Sequence, residues 1–105
     1  MAFITGSTLL DAIVLSVAAR EGTYGYKITQ DVRGVMEVSE STLYPVLRRL
    51  QKDGCLTTYD QAFAGRNRRY YKITPAGSQR LNETLAEWEE YKQKIDRVFY
   101  GGNET

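Results

Sequence analysis

Residues 39–54 read S-E-S-T-L-Y-P-V-L-R-R-L-Q-K-D-G. Leu43, Val46, Leu47 and Leu50 recur at i, i+3, i+4 and i+7, which lines four apolar side chains along one face of a helix. The opposite face carries Ser41, Thr42, Tyr44, Arg48, Arg49 and Lys52. Ser39 or Ser41 can cap the start, and Gly54 after Asp53 supplies the stop. With Ser41 as the cap, Pro45 falls just past the first turn, where proline is harmless, so a tight or slightly bent helix start is expected. Hydroxyls in the first turn with arginines behind them suit a helix in a DNA major groove, its first residues at base edges and its cations near phosphate. The same face would also serve as ordinary solvated surface, and the flanking sequence has to decide.

Downstream, 56–59 (L-T-T-Y) and 70–73 (Y-Y-K-I) are β-branched and aromatic and predict two strands of a hairpin. Residues 60–69 between them form the expected loop, with Gly65 and Asn67 for the turn. On the returning strand Arg66, Arg68, Tyr70 and Lys72 alternate to one side, Tyr71 and Ile73 to the other. The tip thus projects cations and one exposed aromatic, Phe63.

Upstream, Leu9, Leu10, Ile13, Val14 and Val17 predict a helix running to about Arg20, capped by Ser7 or Thr8 and covered on more than one side. Glu21-Gly22 ends it. A second helix over 24–33, capped by Thr23 and closed by Gly34, sets Tyr24, Ile28 and Val32 at i, i+4 and i+8, and a short extended connector over 35–38 leads on. Three helices followed by a basic hairpin make the winged helix-turn-helix plan: mainly α with a small β-hairpin.

Thr74-Pro75 opens a last helix, with Thr74 as cap and Pro75 at the first position, where a missing N–H costs nothing. It is expected to run to about Tyr100 and stop at Gly101-Gly102. Leu81, Leu85, Trp88, Ile95 and Phe99 make a heptad-like stripe, with Lys92 at the skipped position. A helix of this length spans roughly 38 Å, more than a small body can cover, and a second copy of the chain is the natural partner. The expected organisation is a DNA-binding winged helix over 1–74 and a dimerisation helix over 75–105, forming one structural unit.

At 105 residues and a net charge of +1, the chain as a whole is electrostatically unremarkable. The distribution is informative: residues 1–40 carry net −2, residues 41–73 net +5 and residues 74–105 net −2. The positive charge collects where the helix and hairpin lie, as a footprint for phosphate requires. No apolar run approaches a membrane span, and the N-terminus lacks a signal-peptide layout. Together with the single cysteine, Cys55, these features predict a cytoplasmic protein. There is no histidine, one cysteine cannot build a zinc site, and no Gly-rich phosphate loop follows a strand. A non-enzyme without metal or cofactor is expected.

Three segments then resemble the PadR-like family of bacterial transcriptional regulators: Y-G-Y-K-I at 24–28, S-T-L-Y-P-V-L-R-R-L-Q-K-D-G at 41–54, and R-R-Y-Y-K-I-T-P-A-G at 68–77. The single C-terminal helix is similar to the small subgroup of that family. The resemblance implies a homodimer that binds double-stranded DNA at an inverted repeat and represses transcription, using a recognition helix at 41–53 and a wing at 56–73. Matched by position, Ser41, Thr42, Tyr44, Arg48 and Arg49 belong to the recognition helix, Tyr24 and Lys27 to the helix before it, and Arg66, Arg68 and Arg69 to the wing. In small multidrug-responsive members a tryptophan on the C-terminal helix lines a cavity at the dimer two-fold and stacks planar ligands. Trp88 matches that position, so a small planar aromatic ligand is implied as a candidate inducer; the acidic residues Glu87, Glu89 and Glu90 beside it would alter such a cavity.

Each reading has a plainer counterpart. Ser41, Thr42 and Tyr44 either read bases or cap and pack, and the wing arginines either follow DNA or keep a hairpin tip soluble. Tyr70 and Tyr71 suit wing packing more than nucleobase stacking. Trp88 in an apolar stripe reads as core or dimer interface from the residues alone, and Cys55 as a buried inert thiol rather than a redox sensor. A winged-helix protein-interaction module that never touches nucleic acid is the rival function, and the basic concentration at 41–73 argues against it.

Overall fold

The computed structural model describes residues 6–20 and 23–101. The chain order is α1 (Gly6–Ala18), β1 (Thr23–Tyr24), α2 (Gly25–Arg33), α3 (Glu40–Lys52), β2 (Leu56–Phe63), β3 (Arg66–Ile73) and α4 (Pro75–Tyr100). The strands form one antiparallel sheet in the order β1-β3-β2. Three helices, a small sheet and a long final helix match the expected winged-helix class.

The core follows the expected apolar periodicity in α3 and only partly in α1 and α2: Leu9, Ile13 and Tyr24 are half-buried, while Leu15, outside the expected stripe, is fully buried. Leu43, Leu47 and Leu50 of α3 are fully buried with Ile28 and Val32 of α2, against Leu10, Val14, Leu15, Val17 and Ala18 of α1. Val46 is partly buried at the edge of this cluster. Leu56, Ile73 and Tyr71 close it from the sheet, and Leu81 closes it from α4.

Several boundaries differ from expectation for local reasons. Ser7 and Thr8 already lie inside α1 and do not cap it, while Glu21-Gly22 lies outside the described residues. Thr23 and Tyr24 are not helical; they form β1, paired with Tyr71 and Tyr70. Tyr24 occupies the cap position of α2 without a side-chain cap bond, and the Thr23 hydroxyl donates to the Arg20 carbonyl instead. Ser39, rather than Ser41, caps α3 by accepting from the Thr42 N–H. Pro45 therefore sits deeper in α3 than the first turn, and its missing N–H leaves the Ser41 carbonyl without its helical donor. The stop is as expected: Gly54 has φ +80°, the Cys55 N–H reaches Leu50 O and the Gly54 N–H reaches Gln51 O, a Schellman closure.

The ten-residue loop expected over 60–69 is absent. Both strands continue to a two-residue turn at Ala64-Gly65, whose φ values of 52° and 79° identify a type I′ hairpin. Asn67 belongs to the ladder opposite Ala62. α4 matches expectation, with Thr74 accepting from the Gly77 N–H, Pro75 in the first turn and Gly101 at φ 78°.

Candidate nucleic-acid interface

Alternation splits the sheet into two faces. Leu56, Thr58, Thr23, Tyr71 and Ile73 look toward the helices, while Tyr24, Tyr59, Tyr70, Phe63, Arg66, Arg68 and Lys72 share the outer side. Tyr70 does not project among cations as a free side chain; it is 7% exposed, edge-on to Tyr24 at 5.5 Å and stacked on Tyr59 at 5.4 Å.

Tyr44 of α3 and Tyr71 at the root of the wing both approach Gly25 of α2. A Cβ placed on Gly25 would touch Cε1 of Tyr44 and Cε1 of Tyr71 at 3.5 Å each, so both rings lie against the first turn of α2. Burial pushes the Tyr71 phenol above its usual range and Tyr44 adds to this, while Arg69 and Arg48 pull it back. Arg48 of α3 and Arg69 of β3 are thus both near enough to that phenol for their charge to act on it. Arg48 and Arg66 are exposed and form no ion pair among the described residues. Arg69 is only loosely matched to Asp60 at 3.9 Å.

At the start of α3, the Ser39 hydroxyl lies 2.9 Å from that of Ser41 and 3.1 Å from that of Thr42, so it engages both on an exposed turn. Tyr44 is half-buried. Arg49 differs from its neighbour Arg48. Its two terminal nitrogens donate to the Asp11 carboxylate at 2.6 and 3.0 Å, tying α3 to α1. That hydrogen bond raises the Arg49 pKa, against partial desolvation and with help from the charges of Asp11 and Asp53. Lys27 is likewise engaged, with Asp31 at 2.9 Å, and Arg20 approaches the same carboxylate at 3.6 Å. Asp11, which the sequence reading left unremarked, thus belongs to the site's support; it stands 38 positions from Arg49, and no local spacing connects them.

Arg68 is held differently again. Its Cζ lies 4.3 Å from the Tyr24 ring centre and 4.1 Å from that of Phe63.

Away from this surface, Trp88 and Leu85 of α4 face Leu9, Ala12, Ile13 and Val17 of α1 across an open apolar groove of about 260 Å³. Of the C-terminal stripe, Leu81 packs in its own core, Trp88 and Ile95 are half-buried, and Leu85 and Phe99 are 45% and 70% exposed. No helix among the described residues is long and apolar enough to cross a membrane.

A three-helix body with a hairpin wing and a cationic helix beside it defines a winged helix-turn-helix protein. Residues 14–83 match the Transcriptional regulator PadR-like family. A transcriptional regulator of Mycobacterium tuberculosis is 39% identical over 83 residues, 78% of this chain and 78% of that one. The solved structure of a Streptococcus mutans protein superposes with a TM-score of 0.87 at 35% identity, covering 100% of this chain and 99% of that chain. A PadR-like transcriptional regulator from Bacillus cereus gives 0.81 at 29% identity, covering 90% and 94%. The chain belongs to the PadR-like family; it is a transcriptional regulator and not an enzyme.

Proposed function

We propose that this regulator works as a homodimeric repressor on an inverted-repeat operator, with α3 in the major groove and the β2–β3 wing on the flanking backbone. The observation that carries the reading is that exposed cations stand both on α3 (Arg48) and on the wing (Arg66 and Arg69), two elements whose Tyr44 and Tyr71 rings both approach Gly25 of α2. Arg48, Arg66, Arg68 and Arg69 supply phosphate contacts, which give affinity without sequence information. Ser41, Thr42 and Tyr44 stand at the groove-facing start of α3, and Tyr24 and Lys27 flank it. Arg49 acts on α3 as a strut to α1. Two such surfaces related by a two-fold would meet successive major grooves about 34 Å apart.

A small planar aromatic ligand seated against Trp88 would alter the α1–α4 packing and, by linkage, bind at the expense of DNA. The apolar groove at Trp88 supports this part of the reading.

Titration with duplex DNA across a salt series tests the interface. Arg48→Ala and Arg68→Ala are each expected to weaken binding and to flatten the log K against log salt slope by about one unit. Parental slopes in both variants would remove the assigned contacts.

A further inference from the structure

Register explains how Arg68 comes to lie over two rings. Arg68 stands opposite Gln61 and Phe63 opposite Arg66, so Phe63 is the diagonal neighbour of Arg68 toward the tip. Tyr24 stands opposite Tyr70, which makes it the diagonal neighbour toward the body. Tyr70 and Tyr59 continue the row, so one aromatic–cation file runs from the hairpin tip to the third strand.

The outer part of the wing has little else to stiffen it. β1 pairs only with Tyr70 and Tyr71, so residues 60–69 form a two-stranded ribbon in which every residue except Arg68 is exposed. Such a ribbon is marginal in water without packing on one face. Phe63 is 51% exposed at this tip, and its ring is engaged with Arg68.

We propose that Tyr24 and Phe63 are positioning residues that hold Arg68 as a fixed cation on a stiffened wing, so that the wing meets the DNA backbone in one geometry. The proposal rests on the DNA-binding reading above. A guanidinium over aromatic rings is attracted by the ring quadrupole, and its in-plane N–H donors stay free for phosphate oxygens. A long side chain loses rotamer freedom when it binds, and one already restrained loses less. Removing the Phe63 ring leaves every cation in place, so the number of phosphates neutralised does not change. Only the ordering cost rises.

The test is binding of random-sequence duplex DNA by the full chain across a salt series, with Phe63→Ala, Phe63→Tyr, Arg66→Ala and Arg48→Ala. Phe63→Ala is expected to bind about three- to tenfold more weakly at every salt concentration, with the parental slope. Phe63→Tyr keeps the ring and is expected to bind as the parent does. Arg66→Ala is expected to lower the slope by about one unit. In the free protein, the Arg68 side-chain protons should show an upfield ring-current shift that Phe63→Ala reduces, a readout that a purely structural loss would not give in a folded variant. Phe63 ends β2 at the exposed hairpin tip, outside the core, so folding is expected to survive its replacement. Parental affinity in Phe63→Ala beside a weakened Arg66→Ala overturns the positioning role and leaves the interface standing. Parental binding in both Arg48→Ala and Arg66→Ala overturns the interface, and the positioning role with it.

Discussion

A Cβ built on Gly77 would lie 2.8 Å from Cγ1 of Ile73 and closer still to the carbonyl oxygen of Cys55. That carbonyl already accepts from the Thr74 N–H at 3.0 Å, and the Thr74 hydroxyl accepts from the Gly77 N–H at 3.0 Å. The first turn of α4 is thereby pressed onto the start of β2. In an unconstrained helix, Gly→Ala stabilises by about 1 kcal/mol. Here overpacking against backbone costs about 1–3 kcal/mol, so Gly77→Ala is expected to destabilise, lowering the urea midpoint; a raised midpoint would show that the junction yields. The cap at Thr74-Pro75 was legible because capping is local chemistry. The demand on Gly77 was not, because it comes from Cys55, which reaches it only when β2 and α4 pack. Neighbouring arginines teach the same lesson. Arg48 and Arg49 look equivalent on the chain, but one helical step of about 100° separates a free guanidinium from one closed on Asp11.

Among the elements, α1 has two distinct jobs. Asp11, with a side chain only 17% exposed, grips Arg49 of α3, while Leu9, Ala12, Ile13 and Val17 line the groove opposite α4. Loss of the ion pair in Asp11→Asn is expected to cost about 0.5–1 kcal/mol, at the upper end for a partly exposed pair, read as a lower unfolding midpoint. Because Arg49 serves as a strut, Arg49→Ala is expected to weaken DNA binding while keeping the parental salt slope, unlike Arg48→Ala. A slope lowered by about one unit would instead put Arg49 on phosphate. Helices were legible as elements, since 3.6-residue periodicity survives wherever one face is buried. The strands were legible only at their inner ends. From 60 to 69 both faces of the hairpin meet water, so no alternation marks it, and Ala64 in a left-handed conformation is not a turn signal a sequence advertises. β1 is two residues long and borrows its strand character from β3.

On the scale of the molecule, the chain measures 58 × 26 × 21 Å with a radius of gyration of 15.9 Å, whereas a compact domain of this length has one of about 13 Å. The excess is α4, whose 26 residues span about 39 Å at 1.5 Å per residue. Its far end exposes Val98, Phe99 and Tyr100, following the exposed Leu85 nearer the body. A second copy of the chain covering this stripe is the expected arrangement. Leu85→Glu combined with Phe99→Glu should convert a dimer to a monomer in sedimentation equilibrium, with Leu81 and the rest of the core undisturbed. A dimer that persists in the double variant would place the interface elsewhere.

The sequence by itself determined the helices, much of their apolar faces, the Thr74 cap and the Gly54 and Gly101 stops, the hairpin and the collection of positive charge in the middle third, because each of these depends on residues close together along the chain. It also carried the family, through three segments in order. Only the tertiary structure decided which arginines are free: Arg49 closed by Asp11, Arg68 laid over Tyr24 and Phe63, and Arg48 left exposed without an ion pair among the described residues. Those assignments depend on side chains brought together from different elements, and the forces that choose them act through space rather than along the chain.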